Sequence, residues 1–165
     1  MSSNNTLEHS TELDSHADNS VVRRNALVIH EKTRSVRVSS YDELAAPKTY
    51  SIVDAVVAYD DHRTGETAML QINQAIFVPQ MTHNLLCPMQ LRMSGVMLNE
   101  EPKFLARKAS METHAISVKD EVDGSTFVIP LSLKGVTSYF SSRKQTLAEY
   151  QSLERIYALT QEEPE

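Results

Sequence analysis

Residues 51–78 constrain the fold more than any other stretch. Residues 51–59 carry Ile52, Val53, Val56, Val57 and Tyr59, β-branched and aromatic side chains that suit a pleated, half-buried surface. Asp60-Asp61-His62-Arg63-Thr64-Gly65 supplies the polar residues and glycine of a chain reversal, and residues 66–78 form the returning strand of a hairpin. Alternation at Ser35-Val36-Arg37-Val38-Ser39 predicts a half-exposed strand, and residues 21–29 read as strand, turn and strand. Residues 103–109, 114–119 and 126–133 are further strand candidates, with Asp123-Gly124 turning between the last two. The pattern predicts a mostly β protein.

Helical signals are few. Pro88 can open and Gly95 close a short helix over 88–94, seated on the core by Leu91 and Met93. Thr146-Leu147-Ala148-Glu149 is a capping box. Leu147, Tyr150, Leu153 and Tyr157 then predict one face of a C-terminal helix reaching about Leu159, before an acidic, frayed end. Residues 1–12 are almost wholly polar and are expected to be a mobile arm, or in part a strand that orders on dimerisation.

Length and charge narrow the function. A chain of 165 residues with 41% hydrophobic residues and no tryptophan has a modest core, so pairing with a second copy would add much. A net charge of −6 argues against a protein whose main work is gripping nucleic acid. Arg23, Arg24, Lys32, Arg34 and Arg37 read as a solvated basic face. Cys87 is the only cysteine, which excludes an intrachain disulfide and fits a reducing compartment. No apolar run is long enough to span a bilayer and no secretory signal opens the chain, so a soluble, intracellular protein is expected, without membrane contact.

Two segments carry chemistry. Residues 13–18 read Leu-Asp-Ser-His-Ala-Asp, and residues 75–91 read Ala-Ile-Phe-Val-Pro-Gln-Met-Thr-His-Asn-Leu-Leu-Cys-Pro-Met-Gln-Leu. Alone, the first is a polar turn in which Asp14 or Asp18 accepts local N–H bonds, and the second an ordinary strand, turn and helix. A metal site has material in His9, Asp14, His16 and Asp18, with His30, His83 and Cys87 elsewhere, but no tight ligand pair is present. No metal or cofactor is therefore expected. Cys87 reads as a small buried side chain.

Together, in this order, the two segments resemble the retropepsin-like aspartic protease region of copia-type retrotransposon polyproteins. The family loop is Leu-Asp-Ser/Thr-Gly-Ala-Asp. Phe77, Val78, Pro79, His83, Asn84, Leu85, Leu86, Gln90, Leu91 and Gly95 fall in step with the family's second segment. The resemblance implies a small closed β-barrel core over residues 13–100, added strands over 101–140, and a helix with an acidic tail over 141–165. It also implies a homodimer in which each chain supplies one catalytic Asp14. One Asp14 would be protonated and donate to the scissile carbonyl, while its partner would be ionised and take a proton from the attacking water.

The same resemblance gives roles to the neighbours. Ser15 would hydrogen-bond between the two loops, Ala17 would stay small beside the substrate, and Asp18 would accept N–H bonds from bound peptide. A lid over residues 41–50, with Ala45 and Ala46 at its mobile part, would cover the groove. Leu85 and Leu86 would pass behind the catalytic loop and complete the substrate site. The polyprotein peptide would bind extended, adding a strand to the lids, in the cytoplasm or inside virus-like particles. His16 departs from the family glycine. It adds bulk where two backbones approach and, when protonated, a charge that favours ionised carboxylates. The rival expectation is an inactive descendant that keeps fold and dimer, or a scaffolding module of the particle using residues 103–159.

Overall fold

The computed structural model describes residues 10–14, 19–38, 46–152 and 155–161. Strands β1 (Ser10–Leu13) and β2 (Val21–Val22) flank the segment that carries Asp14. Strands β3 (Leu27–Val38), β4 (Lys48–Asp60) and β5 (Thr67–Phe77) follow, and β6 (Asn84–Leu86) leads into helix α1 (Pro88–Met93). Next come β7 (Met97–Asn99), β8 (Ala115–Lys119) and β9 (Thr126–Pro130), then β10 (Ser132–Lys134), β11 (Thr137–Ser141) and β12 (Arg143–Lys144). Helix α2 (Leu147–Ser152) and β13 (Ile156–Ala158) end the described chain.

The predicted hairpin is the spine of this mostly β architecture. β4 and β5 pair antiparallel from Asp60↔Thr67 to Ile52↔Ile76, and every β4 residue from Val53 to Tyr59 is buried. That explains the unbroken apolar run over residues 55–59, where a strand with one wet face would alternate. Gly65 closes the turn with φ of 75°, and its N–H donates to the Asp61 carbonyl at 2.7 Å. The large sheet runs β10-β11-β1-β6-β2-β5-β4-β12, with β3 beside β4 and β13 beside β5. β7, β8 and β9 form a separate three-stranded antiparallel sheet.

Both sheets feed one core. Leu70, Ile72, Leu86 and Leu91 from the large sheet and α1 share it with Ile116 and Ile129 from the small sheet. Four aromatic rings stitch the layers. Tyr59 meets Phe127 and Phe140 edge-on, each at 6.0 Å, and Phe127 stacks on Tyr157 at 4.5 Å. Such pairs add to the burial of their own area.

Several expectations change on contact with the structure. The large sheet has two ends, β10 and β12, so the described strands do not close into a barrel. Residues 103–109 are not a strand. They make one 3-10 turn at Lys103–Leu105 and then run irregularly, with Phe104 and Leu105 exposed. The C-terminal helix is described over Leu147–Ser152, residues 153–154 lie outside the described residues, and residues 156–158 pair in parallel with β5 instead of continuing a helix. There Tyr157 stacks on Phe127, and the Met69 and Leu159 N–H groups bond across at 3.1 and 2.8 Å. Six residues of helix gain too little to compete with that.

Of the expected arm, residues 10–12 lie inside the large sheet as part of β1, in keeping with the strand alternative, and residues 1–9 lie outside the described residues. Of the lid, residues 41–45 lie outside the described residues, Ala46 and Pro47 are irregular, and 48–50 begin β4. The basic cluster is not a solvated face, because Arg23 and Lys32 are buried, and Lys32 pairs with buried Asp54 at 3.2 Å. Among the described residues, no helix is long and apolar enough to cross a membrane.

Candidate active-site loop at Asp14

β6 is the local frame. β1 pairs with it in parallel, Thr11↔Asn84, Glu12↔Leu85 and Leu13↔Leu86, while β2 lies on its other side, Val21↔Leu85 antiparallel. The chain therefore leaves one flank of β6 at Asp14 and returns on the opposite flank by Val21. The Asp14 N–H donates to the Leu86 carbonyl at 3.0 Å, which fixes the backbone where the loop begins. Leu13 and Val22 are buried, so both limbs are anchored in the core.

The returning limb is tied to α1. The Ser20 N–H donates to Gln90 Oε1 at 2.8 Å, and Ser20 Oγ accepts the Cys87 N–H at 3.0 Å. Pro88 occupies the first helical turn, where its missing N–H is no loss. Gly95, with φ of 83°, ends the helix as predicted. On the outgoing limb, half-buried Glu12 pairs with His83 Nε2 at 3.1 Å.

Asp14 is half-buried and lines a cleft of about 520 Å³. Its lining also includes Glu100, Phe104 and Leu105 from the segment after β7, and Val136 and Ser138 from the β10–β11 hairpin. Phe104 and Leu105 are 78% and 63% exposed and Val136 is 98% exposed, so an acid sits beside an apolar rim. Glu100 also lines the cleft, and its carboxylate is paired with Arg92 at 3.1 Å. Behind Ser138, its hydroxyl meets His114 Nε2 at 2.8 Å. Burial, helped by the nearby positive charge of Lys103, holds His114 below the ordinary imidazole range. His114 also has φ of 53°, in the left-handed region that few side chains adopt.

Of the site residues expected from sequence, Asp14, Leu85 and Leu86 come together. Leu85 is half-buried, while the Leu86 side chain belongs to the core and meets the loop through its carbonyl. Ala46 is exposed and does not line the cleft. Ser15, His16, Ala17, Asp18 and Ala45 lie outside the described residues. Among the described residues, no three His, Cys, Asp or Glu side chains gather where they could hold a metal ion.

Sequence reasoning missed the cleft's other lining residues. The Gly135 turn between β10 and β11, with φ of 63°, was the available signal that a hairpin ends there. Comparison of the chain with protein-family models, curated proteins and solved structures finds no match in any of the three.

Proposed function

We propose that this chain is a retropepsin-like aspartic endopeptidase of a copia-type retrotransposon polyprotein, working as a homodimer with one Asp14 from each copy. The observation that carries the reading is the placement of β6 between the two limbs of the Asp14 segment, with the Asp14 N–H held on the Leu86 carbonyl. It joins the two sequence segments that carry the family resemblance in one local structure. It also holds an acid at the mouth of a cleft large enough for peptide side chains. In this reading residues 13–100 would correspond to the family's small barrel core, and residues 41–50 to its lid.

The chemistry needs two carboxylates sharing one proton. Water attacks the scissile carbonyl carbon, the ionised Asp14 takes the water's proton, and the protonated Asp14 gives its proton to the carbonyl oxygen. Collapse of the tetrahedral diol breaks the C–N bond and sends a proton to the leaving amine. Cleavage of a fluorogenic polyprotein-junction peptide at acidic and neutral pH tests this, with sedimentation to measure dimerisation. Asp14→Asn should abolish turnover while leaving the dimer intact. Turnover that survives Asp14→Asn would refute the assignment.

A second reading is favoured by the exposed Phe104, Leu105, Met111 and Val136, which suit a contact surface. In it the chain is an inactive scaffolding module of the particle, cleavage having been lost through His16. An Asp14-containing dimer with no peptidase activity at any pH would support it.

A further inference from the structure

We infer that Asn84, Thr11 and Ser142 form a buried hydrogen-bond brace that sets the position of the Asp14 loop, and that the C-terminal third supplies its last link. Asn84 and Thr11 are fully buried and Ser142 nearly so. The Arg23 backbone N–H donates to Asn84 Oδ1 at 2.8 Å. A backbone N–H can only donate, so that contact fixes the amide's orientation and turns Nδ2 toward Thr11. Nδ2 donates to Thr11 Oγ1 at 3.2 Å, and Thr11 Oγ1 lies 2.7 Å from Ser142 Oγ.

The positions explain the consequence. Thr11 is three residues before Asp14 on the outgoing limb, and Arg23 follows β2 on the returning limb. Asn84 opens β6, the strand between them. One buried amide thus grips both limbs of the loop at once. Ser142, at the junction of β11 and β12, closes the chain of bonds from a region outside the two segments that carry the family resemblance. These groups are buried, so each lost link leaves a buried donor or acceptor unmade.

These are positioning residues, acting through the backbone of Asp14. Their bearing on catalysis rests on the protease reading, whereas the brace itself does not. The test therefore uses two readouts on the full chain. Amide hydrogen exchange is compared for wild type, Thr11→Val, Ser142→Ala and the conservative Thr11→Ser. Asp14 should exchange about tenfold faster in the first two variants, the effect of losing roughly one net hydrogen bond locally. The β4–β5 ladder should keep its wild-type rates, and Thr11→Ser should restore Asp14. Unchanged Asp14 exchange in both variants would overturn the inference, as would an equal acceleration of the β4–β5 ladder.

Peptide turnover is the second readout. If the wild type cleaves, both variants should lower kcat about tenfold with little change in KM, and a raised KM with intact kcat would count against positioning. If the wild type does not cleave at any pH, the protease reading fails, and the exchange rates still decide the brace.

Discussion

Removing the Asp54 carboxylate should be among the most damaging single changes in this protein. Lys32 Nζ and Asp54 Oδ2 are 3.2 Å apart, with side chains only 2% and 3% exposed. Asp54 Oδ1 also accepts the Gln74 N–H at 3.0 Å, and Gln74 has φ of 55°. The pairing is irregular at this level on both sides of β4. β3 and β4 shift register between Glu31 and Ser35, and β4 and β5 shift between Val53 and Ala55. One carboxylate therefore neutralises a buried ammonium and satisfies the backbone of a strained bulge residue.

Asp54→Ala takes this carboxylate away from the buried Lys32 ammonium and frees the Gln74 N–H. Breaking a buried pair from one side costs about 3–5 kcal/mol. That is a large part of the roughly 5–15 kcal/mol that holds an ordinary domain together. For a chain of this size the loss corresponds to a fall in Tm of about 6–20 °C. Lys32→Met removes the other charge and should cost less, because its stem stays packed. The double variant should then be more stable than the sum of the single losses implies, by at least about 2 kcal/mol. Urea unfolding of the four proteins measures the cycle. A loss below about 1 kcal/mol for Asp54→Ala, or simple additivity, would refute a desolvated, coupled pair.

Four further outcomes are expected. Leu86→Ala should cost about 2–5 kcal/mol in urea unfolding, because Leu86 is fully buried. The folded state holds His114 below its ordinary range, so the unfolded chain binds more protons near that range. Stability should therefore be complete above about pH 6.5 and fall as the pH drops further, and His114→Gln should flatten that part of the urea profile. Arg143 bonds Asp60 at 2.8 Å and keeps its carboxyl below the usual range, so that contribution is present above the ordinary carboxylate value and lost as acid titrates Asp60. The pair is exposed, and Arg143→Gln should remove no more than about 1 kcal/mol of acid-sensitive stability, less in high salt. Gln145 is fully buried with no hydrogen-bond partner for its amide among the described residues. Gln145→Met should raise stability by about 1 kcal/mol in the same assay.

The legible parts of the fold were those decided locally. The β4–β5 hairpin, the Pro88-to-Gly95 helix, the Asp123-Gly124 turn and the capping box all follow from neighbours in sequence. The capping box is seen directly, with the Glu149 N–H donating to Thr146 Oγ1 at 3.1 Å. Failures came where distant partners decide. Tyr157 has a helical spacing from Leu147 and Tyr150, yet Phe127 and the free edge of β5 claim it for a strand. Lys32 reads as a surface cation until Asp54 is known to lie opposite. At the candidate site, the sequence identified Asp14 and the Leu85-Leu86 segment but gave no hint that Phe104, Val136 and Ser138 would line the same cleft as Asp14. That cleft joins segments about a hundred residues apart, and no periodicity encodes it.

The same distinction bears on how the C-terminal third relates to Asp14. β1 has only four residues and two neighbours, β6 on one side and β11 on the other, with Thr11 opposite Phe140 and Glu12 opposite Tyr139. A strand that short holds its register through its partners, because each ladder alone fixes only three residue pairs. Phe140 then packs edge-on against Tyr59, which ties β11 to the long hairpin. Removing the chain beyond residue 100 would uncover one edge of β1 and break the ladder whose last pairs lie just before Asp14. The acid's position is therefore a property of the whole sheet, although the motif that reveals it occupies six residues.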